Sequence, residues 1–181
     1  MALTATMHRV EIALEDSDRN LYTALEARIA RHPSETLRHV VARLCAFALQ
    51  HEEGIVLGPP LTDELQPTIG VRDLRGDLRA WIEVGSPSAD RLHRASKACA
   101  RVVVYVDGDP RNFLREVGTR TIHRVEHIEA FALDASFLDA VGASLERTAK
   151  WQLVVSGGTI YLTTGGRMHE TEIRRLTLAP A

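Results

Sequence analysis

Few residues in this chain have the type and spacing to do chemistry, and most of those also have an ordinary structural use. Glu35 follows His32-Pro33-Ser34 at the start of a predicted helix. With His32 as N-cap and Pro33 as the first helical residue, Glu35 reads as the glutamate that closes a capping box and favours the helix dipole; the same carboxylate is also a candidate metal ligand. Glu83 lies on a predicted strand two residues after Trp81. Its structural use would be an ion pair with Arg72 or Arg79, and its chemical use a role in a site. His32 and Ser34 read as capping residues. Arg43 sits beside the apolar stripe of its helix and should pair with a carboxylate, Glu35 or Glu83. Asp107-Gly108-Asp109-Pro110 follows a buried strand, where α/β sheets place ligands, but it is also the vocabulary of a turn, and a turn is the reading taken here.

Other chemistries lack their residues. Cys45 and Cys99 form no CxxC and no Cys/His cluster, which removes a disulfide scaffold and a structural zinc, and both read as inert core thiols. Among the histidines there is no HExxH; His123 and His127 are four apart with no third ligand in view. No GxGxxG and no GxxxxGKS/T occurs, so dinucleotide and P-loop readings have no support.

The chain has 181 residues, 45% hydrophobic and 25% charged, the composition of one soluble globular domain, 1–181. A net charge of −2 means that any nucleic-acid site must be a local patch, and 5% aromatic residues argue against a stacking platform for single strands. All basic residues except Lys97 and Lys150 are arginine. Residues 1–6 lack the charged start and apolar core of a signal peptide, and no apolar run reaches ~18 residues, so the expected compartment is the cytoplasm, with no membrane partner.

The elements that must position these residues follow from periodicity. Residues 6–14 alternate as a strand. Asp16, Ser17 and Asp18 then offer N-cap chemistry for a helix through Leu21, Leu25 and Ile29. From Pro33, an apolar stripe of Leu37, Val40, Val41, Leu44, Cys45 and Ala48 marks the clearest helix. Residues 55–57 form a short strand. Residues 67–84 read as a hairpin about Arg75-Gly76, with Ile69 opposite Ile82, Val71 opposite Ala80, Thr68 opposite Glu83, and an unfavourable Arg72–Arg79 pair. A helix from about Ser86 to Cys99 and a doubly buried strand at Val102–Val106 follow. Beyond them come a helix at Phe113-Leu114, a strand at 128–133 and a helix through Phe137, Leu138 and Val141. Strands at 151–155, 159–163 and 170–178 should pair with the N-terminal strand. Leu37, Val40, Val41, Leu44, Ile82, Val84 and Val102–Val104 are the expected core.

Two segments are specific. Ala30-Arg31-His32-Pro33-Ser34-Glu35-Thr36 and Trp81-Ile82-Glu83-Val84-Gly85, with Asp18-Arg19 before them and Trp151 ahead of a glycine turn, resemble the YaeQ family of bacterial proteins over essentially the whole chain. That family has no established biochemical activity. The resemblance implies an α/β fold similar to the PD-(D/E)XK nuclease group: a restriction-endonuclease-like mixed central sheet flanked by helices, with a second, smaller sheet from the N- and C-terminal strands.

Nucleases of that group pair an Asp on one hairpin strand with Glu-x-Lys on the next, so that two carboxylates hold a divalent ion and the lysine holds the attacking water. Carried over residue by residue, Glu83 matches the strand glutamate and Glu35 the helix glutamate, making both candidate metal ligands and, with Lys97, candidate catalytic residues. Thr68 stands where the Asp belongs and Gly85 where the lysine belongs. Lys97 or Arg94 could replace the cation, and Asp63, Glu64 or, least well placed, Asp73 the carboxylate. His32, Ser34, Arg43, Arg94 and Ser96 are the implied substrate-binding residues. The degraded motif favours a binding module for nucleic acid or a protein, without a required cofactor. The alternative is a Mg²⁺- or Mn²⁺-dependent phosphodiesterase. The preferred reading has Glu83 neutralised by an Arg or Lys contact.

Overall fold

Strand β1 (Thr6–Asp16) turns back into a second strand, β2 (Leu21–Arg31), where a helix was expected. Leu21, Leu25 and Ile29 are four apart, a spacing that fits both a helix face and every second step of a strand. Thr23 and Ala27 decide it: they share the inward face, while Tyr22, Ala24, Glu26 and Arg28 are exposed. Asp16 and Asp18 cap turns rather than a helix. Buried Asp16 accepts from Arg19 Nε at 2.6 Å, and Arg19 reaches the carbonyls of Ala48 and His51 at 3.2 Å each. Asp18 accepts from the amides of Gly157 and Gly158, both at 2.8 Å, and these two bonds hold its carboxyl below the usual range.

The structure, a computed structural model, describes residues 5–59 and 65–178. Helix α1 (Leu37–Leu49) starts four residues later than Pro33, because Thr36 takes the N-cap: its hydroxyl accepts from His39 N at 3.2 Å. Residues 32–35 form a turn instead, closed by Glu35 N donating to His32 O at 2.9 Å. After α1 come β3 (Ile55–Leu57), β4 (Ile69–Arg72), β5 (Leu78–Val84), α2 (Ala89–Ala98), β6 (Arg101–Val106), α3 (Pro110–Val117), β7 (Glu129–Ala132), α4 (Ala135–Ala143), β8 (Thr148–Ser156), β9 (Thr159–Thr164), β10 (Arg167–Glu172) and β11 (Arg174–Leu176). Two mixed sheets result, ordered β10-β9-β8-β1-β2 and β11-β7-β6-β5-β4-β3. The terminal sheet, expected to be the smaller, has five strands to the other's six but longer ones, β1 and β2 spanning 11 residues each. The expected strand 170–178 is split: after β10 the chain changes sheets at Ile173, whose amide bonds Gly158 O at 2.8 Å.

Helix α1 lies between the two sheets. Its side chains share one core with inward residues of β1, β2, β8 and β9 on one side and of β4, β5 and β6 on the other, which is why every residue from Val40 to Leu49 is buried. Leu37 is only half-buried. The expected core residues on β5 and β6 are buried. Helices α2 and α3 cover the opposite face of the second sheet over a separate apolar cluster around Leu92, Phe113 and Val104. Strands β5, β6 and β7 are parallel, each pair joined through one of these helices. No helix among the described residues is long and apolar enough to cross a membrane.

The β4–β5 hairpin keeps the expected pairs Ile69–Ile82 and Val71–Ala80 but bulges after Val71, so Arg72 faces Leu78. The turn spans Leu74-Arg75-Gly76, with Gly76 at φ +88° and its amide bonded to Asp73 O at 2.9 Å. No Arg72–Arg79 pair forms. Arg79 binds Asp73 at 2.5 Å instead.

Candidate functional site

The C-terminal ends of β5 and β6 lie side by side because the strands are parallel and in register, with Glu83 beside Val104 and Gly85 N bonded to Tyr105 O at 2.9 Å. This sets Glu83, Gly85 and Asp107 at one edge of the sheet. The turn before α1 contributes Glu35, and α1 itself contributes His39 and Arg43, one helical turn apart on one face. The first turn of α2 adds Arg91, and the residue before β4 adds Thr68. Together they line a cleft of about 560 Å³.

Each carboxylate in this cleft is already engaged. Glu83, 3% exposed, accepts from Trp81 Nε1 and from Arg91 at 2.8 Å on one oxygen, and from the Thr68 hydroxyl at 2.9 Å on the other. Arg91 also lies over the Trp81 ring, 5.9 Å from its centroid, and donates to Gln66 O at 2.8 Å. Glu35 accepts from His32 N at 2.7 Å and from Arg43 at 3.2 Å. Arg43 is 1% exposed, and its remaining bonds go to the carbonyls of Gly58, Pro59 and Ala30. Burial lowers its affinity for its proton, against the pull of Glu35. His39 Nδ1 meets Asp107 at 2.7 Å, while its Nε2 is 3.8 Å from Glu35.

Of the residues expected from sequence, Glu35, Glu83 and Arg43 come together, and Glu83 is held by an arginine, though by Arg91 rather than Arg43, Arg94, Lys97, Arg72 or Arg79. Arg94, Ser96 and Lys97 do not line the cleft. Helix α2 starts at Ala89 with Ser88 as its cap, so only its first turn faces the site. Ser96 bonds His93 O at 3.0 Å toward the far end, and Lys97 is exposed there. His32 and Ser34 bond each other at 2.6 Å in the turn before α1. Asp73 is at the hairpin tip on Arg79. Asp63 and Glu64 lie outside the described residues.

Sequence reasoning missed His39, Arg91 and Asp107. One signal was present for Asp107, its place just past a doubly buried parallel strand, where ligands gather. His39 lies four positions after Glu35, in the first turn of α1. Where the nuclease pattern has lysine, Gly85 adopts φ +102°, and a Cβ there would stand 3.3 Å from the His39 ring. A lysine there would be held in a backbone conformation that side chains rarely adopt, and the His39 ring would have to give by a few tenths of an ångström.

The described carboxylates of this cleft offer a divalent ion no ready pair of free oxygens. Among the described residues no group of three His, Cys, Asp or Glu side chains is placed to hold one. Both oxygens of Glu83 already accept hydrogen bonds, and Glu35 is shared between Arg43 and a backbone amide.

Comparison with known proteins agrees with this architecture. The family model described as YaeQ protein matches residues 1–173. The chain belongs to the YaeQ family. It is 26% identical over 164 residues to the "Uncharacterized protein YaeQ" of Escherichia coli strain K12, spanning 90% of this chain and 91% of that one. The YaeQ crystal structure from Pseudomonas syringae superposes with a TM-score of 0.85 at 30% identity, covering 96% of each chain. That from Xanthomonas axonopodis pv. citri gives 0.87 at 25% identity, covering 97% of this chain and all of the other. Two mixed sheets with four described helices are thus an arrangement this YaeQ-family chain has in common with solved relatives.

Proposed function

We propose that this YaeQ-family chain is a nucleic-acid-binding module, a single domain built on a restriction-endonuclease-like scaffold and acting in the cytoplasm of a bacterial cell without metal-dependent cleavage. The observation that carries this reading is the saturation of Glu83 by Trp81, Arg91 and Thr68. A metal would have to displace an arginine from a buried carboxylate, leaving that guanidinium without its ion-pair partner, at a cost of several kcal/mol. Arg91 lines the cleft with its charge shared between Glu83 and Gln66 O, and would meet a phosphate through the part of the guanidinium those contacts leave exposed.

The test is calorimetric titration with Mg²⁺ and Mn²⁺, followed by a supercoiled-plasmid assay in Mn²⁺. A binding module gives no metal heat above background and no nicking, yet shifts the anisotropy of a labelled DNA. The second reading, a Mg²⁺- or Mn²⁺-dependent phosphodiesterase, draws on one observation: Glu35 and Glu83 line the same cleft. Nicking by the wild type that disappears in Glu83→Gln would establish it and remove the first.

A further inference from the structure

The outer layer formed by α2, α3 and the segment after α3 is continuous with the mouth of the cleft, and its exposed charge is mostly basic. Arg94 and Lys97 are exposed on α2, Arg111 and Arg115 on α3, and Arg120 and Arg124 beyond it. Two of the four exposed carboxylates on this layer are consumed locally, Asp90 by Arg120 at 2.6 Å and Asp109 by Arg111 at 2.6 Å, while Glu126 lies 3.6 Å from His127 and Glu116 stays exposed on α3. Lys97, Arg115 and Arg124 make no ion pair among the described residues. The outer face of the terminal sheet differs. There Arg9 and Arg28 both hold Glu26, at 2.7 and 2.9 Å, and Lys150 holds Glu11 at 3.5 Å. Exposed arginines without an ion pair among the described residues occur elsewhere too, at Arg72, Arg75, Arg147, Arg167, Arg174 and Arg175. Residues 89–127, however, hold eight Lys and Arg against five Asp and Glu in a chain of net charge −2.

These cations belong to one surface. Arg120 reaches back to Asp90 at the start of α2, and His123 N donates to His93 Nδ1 at 3.2 Å. His93 and Lys97 are neighbours one turn apart on α2. Arg124, next to His123, holds φ +50°, a conformation that glycine or asparagine adopts at less cost than arginine. The aromatic rings within residues 89–127, Tyr105 and Phe113, are buried, so this face offers charge without a stacking platform.

We infer that the α2–α3 face is a sequence-independent track for the phosphate backbone of double-stranded nucleic acid, leading from Lys97, Arg115 and Arg124 toward Arg91 at the cleft. The inference rests on the nucleic-acid reading of the cleft. Backbone contacts by cations position a duplex without reading bases, and each neutralised phosphate steepens the salt dependence of binding.

The experiment measures anisotropy of a labelled 20-base-pair duplex against the full chain from 50 to 300 mM KCl. Four proteins are compared: wild type, the triple variant Lys97→Gln/Arg115→Gln/Arg124→Asn, Arg91→Gln in the cleft, and Lys150→Glu on the opposite face. All three sites of the triple variant are exposed, and asparagine tolerates the backbone at 124; circular dichroism verifies the fold. Three lost contacts should flatten the slope of log K against log salt by about 2.7 and weaken binding at least tenfold at 100 mM, with Lys150→Glu at the wild-type value. A triple variant indistinguishable from a wild type that binds overturns the track, and if Arg91→Gln alone weakens binding the cleft reading survives without it. Loss in the triple variant with Arg91→Gln unaffected keeps the track and removes the cleft reading. A wild type that binds no duplex at 50 mM overturns both.

Discussion

Arg43 and Glu35 form a pair removed from water, with 1% and 10% of their side chains exposed. A buried pair adds little net stability, but losing one partner leaves the other charge in a medium that cannot solvate it. Arg43→Met should therefore lower the unfolding free energy by about 3–5 kcal/mol, and adding Glu35→Gln should restore much of that loss. Urea denaturation of the two variants checks it; an additive double variant would mean that the groups do not interact. Cys45 is governed by the same desolvation, which pushes its thiol up to about 12. Below that pH the folded protein keeps it protonated, so at pH 8 Cys45 should resist a thiol reagent and label only on unfolding, as mass spectrometry of the modified peptide would show. Rapid labelling of Cys45 in the native protein would contradict its burial.

At the scale of elements, α1 does the most for the site, because one helix supplies the core with its whole circumference and the cleft with its first turns. Leu44 is fully buried in it, and Leu44→Ala should cost about 2–5 kcal/mol by cavity formation. Thr36→Ala removes the N-cap and should cost about 0.5–2 kcal/mol. The capping loss acts where Glu35 and His39 are held, so it should also loosen the cleft, seen as faster amide exchange at residues 37–40 with the rest of α1 unchanged. The stripe from Leu37 to Ala48 made this helix legible, and the alternation at 69–71 and 80–82 made the hairpin legible. The second strand was not, since four-residue spacing serves both periods and only pairing with β1 along all eleven positions selected the strand. The bulge after Val71 escaped for a related reason: it depends on turn geometry, whereas the hydrophobic pattern fixes only which residues share a face.

Across the whole molecule, α1 couples the two sheets through a common core, so neither sheet can lose its packing alone. Trp81 reports from one sheet and Trp151 from the other, both buried. Single-tryptophan variants Trp151→Phe and Trp81→Phe, each referenced to its own far-ultraviolet circular dichroism, should show fluorescence transitions coincident with that signal, a single cooperative unit. An earlier transition at Trp151 would mean that the terminal sheet unfolds as a separate unit.

The sequence by itself determined the α/β class, the four described helices (with a fifth, at residues 21–29, that is a strand), most strands, the two-sheet arrangement with its terminal strands, and the placement of Glu35, Glu83 and Arg43 in one cleft. These follow from local periodicity and from two specific segments, and both are properties of neighbouring residues. Only the tertiary structure decided what those carboxylates touch. Arg91 reaches Glu83 from another element, and Asp107 meets His39 across 68 positions of sequence. Lys97 left the cleft because a cap at Ser88 fixed where α2 begins and which turn faces inward. Side-chain partners at a site depend on the relative placement of elements to within an ångström or two, since hydrogen bonds and ion pairs weaken steeply beyond contact. Hydrophobic pattern sets which faces are buried, and it carries no information at that precision.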